Sequence, residues 1–365
     1  MNNNFQAIFK RCLLYAITFM LGVIITIMTI NQISNEFEKS ESKVKIEREV
    51  TVVENGIADA VEKVYDSVVV ITTYQKQQAI GSGSGFIYKD DGKKMYLLTN
   101  EHVIEGGDSF KVTFTDGEVL DASLVGSDVY SDIAVLEIES KLDYKAVILG
   151  DSSTMRVGDT TFTIGAPLGD TYSWSVTRGI LSGKERLVEF SLSSYSQSDY
   201  IMNVLQTDCA VNSGNSGGPI SNSNGEVIGI VNAKISATGV EGIGFAIPIE
   251  TAIEKAETII NGNDSMYPYL GISMFNVTEA KNYINFRKYF INNNIEEGVF
   301  VIDIESNSPA ANKLKQGDII IAINDVEVEN VAYLRYELYK NHTGDTIDVT
   351  IIRGNKRVEL SIELF

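Results

Sequence analysis

A histidine, an aspartate and a serine, far apart in the chain, each stand in a setting where a side chain could do chemistry. His102 follows an apolar run in Leu97-Leu98-Thr99-Asn100-Glu101-His102-Val103-Ile104. Asp132 heads another in Ser131-Asp132-Ile133-Ala134-Val135-Leu136. Ser216 lies in Asn212-Ser213-Gly214-Asn215-Ser216-Gly217-Gly218-Pro219. There the glycines permit a tight backbone that exposes a hydroxyl and lets N–H groups converge on a developing oxyanion. Taken singly, each has an ordinary explanation: a structural histidine, a strand-start aspartate, a glycine-rich hairpin loop. Taken together they meet the needs of nucleophilic catalysis. A serine is a poor nucleophile until a base takes its proton, histidine is the usual base, and an acid fixes the imidazole tautomer and stabilises the imidazolium.

The elements that must position these side chains read as β. Short β-rich runs recur at Val68–Thr73, Gly85–Tyr88, Tyr96–Thr99, Phe110–Phe114, Ile133–Ile138, Thr161–Ile164, Ile201–Gln206 and Val227–Val231, separated by Gly, Asn, Asp and Ser clusters. Helical spacing returns at Ile249–Ile260, where Ile249, Ala252, Ile253, Ala256 and Ile260 share a face and close the domain. The order His102, Asp132, Ser216, with gaps of 30 and 84 residues, is that of chymotrypsin-like double barrels and not of α/β-hydrolases or subtilisins. The run Gly81-Ser82-Gly83-Ser84-Gly85 is no phosphate loop, because a strand follows it and no Lys-Ser/Thr does.

Six stretches make the resemblance specific. They are Gly83-Ser84-Gly85-Phe86-Ile87, Thr99-Asn100-Glu101-His102-Val103, Ser131–Leu136, Gln206-Thr207-Asp208-Cys209-Ala210-Val211-Asn212, Gly214-Asn215-Ser216-Gly217-Gly218-Pro219 and Gly244-Phe245-Ala246-Ile247-Pro248. In these the chain resembles the HtrA (Deg) family of membrane-linked serine proteases across nearly all of residues 61–250. The resemblance implies His102 as general base, Asp132 as its orienting acid and Ser216 as nucleophile. It implies an oxyanion hole from the N–H groups of Gly214 and Ser216. By analogy with chymotrypsin-like proteases, Ala210, six before the nucleophile, sits at the base of the specificity pocket, and Ile228 and Ile230 line its wall. Cleavage is then expected after small or medium aliphatic residues. The departures are Glu101, where the family often has a second Asn, and Cys209 and Ser213 near the nucleophile; none touches the triad. Cys209 reads as a small buried hydrophobe.

A second unit follows the polar break Asn261-Gly262-Asn263-Asp264-Ser265. Its order of elements, including a hairpin around Gly354-Asn355, resembles a PDZ domain of the bacterial protease type. Tyr269-Leu270-Gly271-Ile272 stands where that family has its carboxylate-binding loop, and a peptide C-terminus would add as a strand beside Ile272–Met274, in a groove walled by the helix near Val331. The rival is a small α/β domain that only packs against the protease. Phe275–Glu297 is longer than a minimal connection and reads as an extra helix without an assigned role. His342 falls in a polar surface turn.

At the other end, Cys12–Ile30 is an uncharged run of nineteen residues preceded by Lys10 and Arg11, with acids starting at Glu36. As a helix it spans about 28 Å, which suits a membrane anchor with a cytoplasmic N-terminus and the rest translocated. No small-residue cleavage pattern follows it, which favours an anchor over a cleaved signal. The net charge of −19 argues against nucleic-acid partners. Two histidines, two cysteines and no HExxH or CxxC leave no zinc motif and no disulfide scaffold.

The expected architecture is mainly β: a chymotrypsin-like double β-barrel at 61–262 and a small α/β PDZ domain at 265–365. Residues 1–11 are a cytoplasmic N-terminus, 12–30 a transmembrane helix and 31–60 a linker. The expected function is a bacterial, extracytoplasmic, membrane-anchored serine endopeptidase in protein quality control or stress-signal cleavage, a homotrimer by resemblance, needing no metal or cofactor. Expected partners are unfolded or membrane-associated proteins, and C-terminal peptides at the PDZ groove. The resemblance also implies that the polar, serine-rich loop Arg186–Tyr200 relays peptide binding to the active site. The rival from another class is an idle scaffold or chaperone that binds unfolded chains. A serine esterase is weaker, since the α/β nucleophile elbow is missing.

Overall fold

The computed structural model describes residues 3–40, 56–140, 144–166, 172–190, 199–233, 242–262, 267–290 and 295–365. It divides into two compact units, Met1–Glu54 and Asn55–Phe365.

The first unit is one helix, α1 (Asn3–Ser40). Its stretch Ile8–Gln32 has 25 residues and a mean hydropathy of 2.4. At 1.5 Å per residue that stretch is about 38 Å long, enough by length and composition to cross a membrane, a test that a signal sequence also passes. The hydroxyls of Thr18, Thr26 and Thr29 donate back to the carbonyls of Leu14, Gly22 and Ile25 at 3.1, 2.9 and 3.1 Å, so the helix satisfies its own polar groups. The helix runs past Ile30 to Ser40, so the first part of the expected linker is helical; residues 41–55 lie outside the described ones.

The second unit opens with α2 (Ile57–Tyr65), which buries Ala60 and Val64. A closed barrel follows: β1 (Val68–Gln75), β2 (Gln78–Asp90), β3 (Lys94–Thr99), the one-turn helix α3 (Glu101–Ile104), β4 (Ser109–Thr113), β5 (Val119–Asp128) and β6 (Ile133–Glu139), paired in the order β1-β2-β3-β6-β5-β4. The next sheet holds β7 (Ile148–Leu149), β8 (Thr160–Gly165), β9 (Ser175–Phe190), β10 (Tyr200–Thr207), β11 (Pro219–Asn222), β12 (Glu226–Val231) and β13 (Gly244–Pro248). Its order is β11-β8-β9-β10-β13-β12-β7, and pairing of β11 with β12 closes a second ring. Each ring fills its interior with its own alternating side chains: Ile71, Ile87, Leu97, Phe114 and Leu136 in the first, Leu181, Leu205, Ile220, Ile228 and Val231 in the second. A third cluster joins Val68, Phe86, Leu98 and Ile133 to Phe162, Val204, Ile230 and Ile247, and forms the seam between the barrels. Helix α4 (Ile249–Ile260) buries Ile249, Ala252 and Ala256 in that seam.

The remaining sheet is the PDZ-like one: β14 (Ile272–Asn276), β15 (Val299–Ile304), β16 (Ile319–Ile323), β17 (Val326–Glu327), β18 (Thr346–Arg353) and β19 (Lys356–Glu363), ordered β14-β15-β16-β18-β19 with β17 on β16. Strand β14 is an edge. Helix α6 (Val331–Leu338) covers one face with Val331, Leu334 and Leu338. The other face is covered by the segment whose role the sequence leaves open. It contains the short helix α5 (Val277–Ala280), and its Phe286, Tyr289 and Phe290 surround Phe300 with ring centroids 5.1, 5.4 and 5.3 Å away. Strand β15 alternates Val299 and Val301 to one face and Phe300 and Ile302 to the other, so without that segment an aromatic and aliphatic face would meet water.

The loop read as Arg186–Tyr200 is narrower than expected. Arg186–Phe190 belongs to β9 and pairs with β10, Phe190 opposite Tyr200. Its serines Ser191, Ser193, Ser194, Ser196 and Ser198 lie outside the described residues.

Candidate active site

The first barrel contributes two of the three expected residues. Strand β3 ends at Thr99, and the chain turns into α3 through Asn100, whose buried side-chain amide donates to the Asp132 carbonyl at 2.9 Å. The Glu101 N–H donates to the same oxygen at 3.2 Å. Asp132 sits between β5 and β6 with φ of +53°, a left-handed conformation that costs a residue with a Cβ about 1–2 kcal/mol and persists because its surroundings hold it there. Its carboxylate accepts the His102 backbone N–H on Oδ1 at 2.9 Å and faces His102 Nδ1 from Oδ2 at 2.7 Å. Asn232 Nδ2 donates to the same Oδ2 at 2.8 Å. An ionised carboxylate only accepts, so His102 carries its proton on Nδ1 and leaves Nε2 as the basic nitrogen.

The second barrel contributes Ser216, on the loop from β10 to β11. The Asn215 N–H donates to the Asn212 carbonyl at 3.0 Å, and Gly214 between them has φ of +101°. That pair of features defines a type II turn, in which the third residue must be left-handed and is therefore glycine. Neither the Gly214 nor the Ser216 N–H has an acceptor among the described residues. Gly217 is constrained differently: a Cβ there would lie 2.2 Å from both the Ser84 carbonyl and Thr99 Oγ1. Ser216 Oγ accepts the Ala233 N–H at 3.1 Å, which leaves the hydroxyl's own proton available to an acceptor.

Ser84 ties the two halves together. This buried serine donates from its N–H to the Ser216 carbonyl at 2.8 Å and from Oγ to the Gly214 carbonyl at 2.7 Å. Its Oγ also accepts the Ala166 N–H at 3.0 Å, and its carbonyl accepts the Thr99 hydroxyl at 2.7 Å. In the sequence Ser84 stands out only as part of a glycine-flanked stretch, and Asn232 not at all. For Ser84 the signal was a serine between glycines inside a strand; for Asn232 there was none.

The surroundings are acidic and largely buried. Tyr200 is buried against Phe190, and burial first, then the charges of Asp132 and Glu101, push its phenol well above the ordinary tyrosine range. Cys209 is 1 % exposed, and burial raises its thiol, so the thiolate that would make it reactive is disfavoured.

The expected pocket residues separate. Ala210 is exposed beside the nucleophile loop. Ile228 and Ile230 are fully buried, one inside the second barrel and one in the seam, and present no surface to a substrate. Residues two apart on a regular strand share a face, but β12 has an irregularity here: Ile220 of β11 faces Gly229 while Ser221 faces Val227, so Ile228 is an extra residue and turns to the other core.

The residues expected to bind a peptide lie at the edge of the PDZ-like sheet and at the start of α6. Tyr269 is 44 % exposed, Leu270 is in the core, and Gly271 leads into the edge strand beginning at Ile272. Val331 starts α6 and donates its N–H to Asn276 Oδ1 at the far end of β14, at 2.8 Å. The outer face of α6 meets the second barrel: Arg335 Nη1 donates to the Asp199 carbonyl at 2.6 Å, and Asn330 Nδ2 to Glu189 Oε1 at 3.3 Å. His342 is an exposed turn residue beside Asp345.

Residues 83–230 match the trypsin-like peptidase domain family and residues 268–364 the PDZ domain family. The chain is 40% identical over 327 residues to Serine protease Do-like HtrA of Bacillus subtilis (strain 168), covering 84% of this chain and 72% of the relative. It is 32% identical to Serine protease Do-like HtrA of Lactococcus lactis subsp. cremoris (strain MG1363), over 92% of this chain and 89% of that one. Among solved structures, the serine endoprotease from Yersinia pestis is similar at a TM-score of 0.63 and 29% identity, covering 86% of this chain and 98% of that one. The HtrA-type protease AlgW with a decapeptide is similar at a TM-score of 0.63 and 29% identity, over 84% and 98%.

Proposed function

The chain belongs to the HtrA family of serine proteases and is a serine endopeptidase, and from that premise we propose that His102, Asp132 and Ser216 carry its reaction. The observation that carries the reading is the 2.7 Å contact of His102 Nδ1 with Asp132, set across the seam from a serine on a glycine turn. Ser216 Oγ attacks the scissile carbonyl carbon while His102 Nε2 takes its proton. The Gly214 and Ser216 N–H groups receive the negative charge that develops on the carbonyl oxygen. The peptide C–N bond then breaks as His102 returns the proton to the leaving amine, and water hydrolyses the acyl-enzyme by the same steps in reverse. Asp132 stays ionised throughout and holds the imidazole.

The finer role also belongs to this reading: a single-pass anchor at 12–30 with its N-terminus in the cytoplasm, a linker at 31–60, a protease domain at 61–262 and a PDZ domain at 265–365 facing away from the cytoplasm. The supporting observation is the apolar stretch of α1 with Lys10 and Arg11 before it. We assign it to cleavage of unfolded or membrane-associated proteins in quality control or stress signalling, as a homotrimer. Peptides with free C-termini would dock at Tyr269–Ile272 along β14, near Val331, and shift the protease toward an ordered oxyanion turn, by no more than their differential affinity for the two states. Ala210 remains the pocket residue of this reading, which favours small or medium aliphatic side chains over Lys or Arg.

The test is incubation of the full chain in detergent with unfolded casein beside its Ser216→Ala version. The active chain should yield fragments ending mainly in Val, Ala or Ile, and the Ser216→Ala chain none above background. Comparable fragmentation by both would end the triad assignment. Release of a mature form beginning near Ser34 in cells would end the anchor.

A further inference from the structure

A hydrogen bond crosses from the connection between the two domains to the loop that carries Asp132. Asp128, at the end of β5 and 5 % exposed, accepts the Tyr130 N–H at 3.0 Å, the Ser131 hydroxyl at 2.9 Å and the Tyr267 hydroxyl at 2.5 Å. Tyr130 and Ser131 are the residues that lead into Asp132, whose backbone is left-handed. Tyr267 stands between α4 and the PDZ-like sheet. Its ring lies 4.3 Å from Tyr339, just after α6, and 5.1 Å from Tyr130, with the Lys255 ammonium of α4 at 4.5 Å. Tyr130 in turn meets Tyr339 at 5.2 Å and Tyr200 at 6.1 Å. Three tyrosines, Tyr200, Tyr267 and Tyr339, thus pack around Tyr130, two residues before the catalytic acid, and Tyr267 donates into the carboxylate that shapes its turn.

We propose that Tyr267, acting through Asp128, is a positioning residue for Asp132, so that the connection to the PDZ-like domain must be seated for His102 to be held correctly. This rests on the triad reading above. Buried acceptors must be matched, and Asp128 has three donors to arrange. Without the Tyr267 hydroxyl, one lone pair of the buried Asp128 carboxylate loses its donor, and the cheapest remedy is rotation of the carboxylate, which drags the Tyr130–Ser131 turn with it. Displacing a catalytic group by even about 1 Å is worth up to roughly 100-fold in rate. Asp132 is also held by Asn100 and Glu101, so the proposed effect is smaller, about tenfold.

The experiment is Tyr267→Phe in the full chain, assayed on a short internally quenched peptide that does not need the PDZ-like groove. We expect kcat to fall about tenfold with KM unchanged, and the downfield proton resonance of the His102–Asp132 hydrogen bond to move or broaden. Asp128→Asn should do the same, and the double variant should be no worse than the worse single one, because both remove one chain of contacts. Tyr336→Phe removes a hydroxyl from the same interdomain cleft without touching Asp128 and should leave kcat as it is. An unaltered kcat and resonance in Tyr267→Phe, additive losses in the double variant, or a Tyr267→Phe chain that does not fold would each overturn the proposal. A Ser216→Ala chain run alongside separates the two readings: if it still turns over, the triad has failed; if it is inert while Tyr267→Phe is normal, only the positioning has.

Discussion

In the first barrel, His102 and Asp132 are tied to each other through side chain and backbone, and Asp132 is held further by Asn100, Glu101 and Asn232. In the second barrel, Ser216 rides a turn built of Gly214, Gly217 and Gly218, and the firmest grip on that turn comes from Ser84 of the first barrel. The base and its acid are therefore set mostly within their own barrel, with one bond added by Asn232 of the second. The nucleophile and its oxyanion donors are set only when the barrels are joined. The acid–base half resists local motion, whereas the nucleophile half can change conformation by rotating peptides next to glycine.

Breaking the acid–base half should have the largest effect. His102→Ala is expected to lower kcat on a peptide substrate by roughly 10⁴ or more, and Asp132→Asn by about 10⁴, because an amide at 132 favours the wrong imidazole tautomer. Circular dichroism should show both chains folded. Loss of less than tenfold in either would mean that the barrel contact is structural.

Breaking the joint should have an intermediate effect. Ser84→Ala strips the Gly214 carbonyl and the Ala166 N–H of a buried partner, at about 1–3 kcal/mol each where no water replaces it. It should therefore lower both the thermal midpoint and kcat, the latter by roughly 10–100-fold with KM little changed. A rise in KM with kcat unchanged would instead place Ser84 in substrate binding.

The smallest effect is expected at the contact between α6 and the protease. Arg335 is partly solvated, and its carboxylate partner Asp199 stands 3.7 Å away, so Arg335→Ala should cost about 1 kcal/mol or less in denaturant midpoint. Turnover of a short peptide should stay within about twofold. A large loss of turnover would show that this contact, and not only the joint through Ser84, orders the nucleophile turn.

Most of the site was legible because its residues are local in the sequence: a histidine ending β3, an aspartate heading β6, a serine among glycines. Strands with unbroken apolar runs were legible for the same reason. Strand β5 and the first part of β9 escaped, since their side chains alternate between partly covered and solvent-facing and include glycines and charges. Asn232 and Ser84 escaped because their roles depend on partners about 100 and 130 residues away. The side-chain direction of Ile228 and Ile230 depends on the local register of β12 beside Gly229, which a composition of apolar residues does not fix. The segment after β14 was visible as extra length, but its purpose appeared only with the aromatic face of β15 that it covers.

The central claim, that His102 and Asp132 activate Ser216, is tested most directly by covalent trapping. A fluorophosphonate loses fluoride to an activated serine and leaves a phosphonyl group on its oxygen. Incubation of the full chain followed by peptide mass spectrometry should give one adduct, on the peptide holding Ser216, and none there in the His102→Ala chain. Labelling of Ser216 at the same rate without His102, or labelling of another residue while Ser216 stays unmodified, would contradict the account.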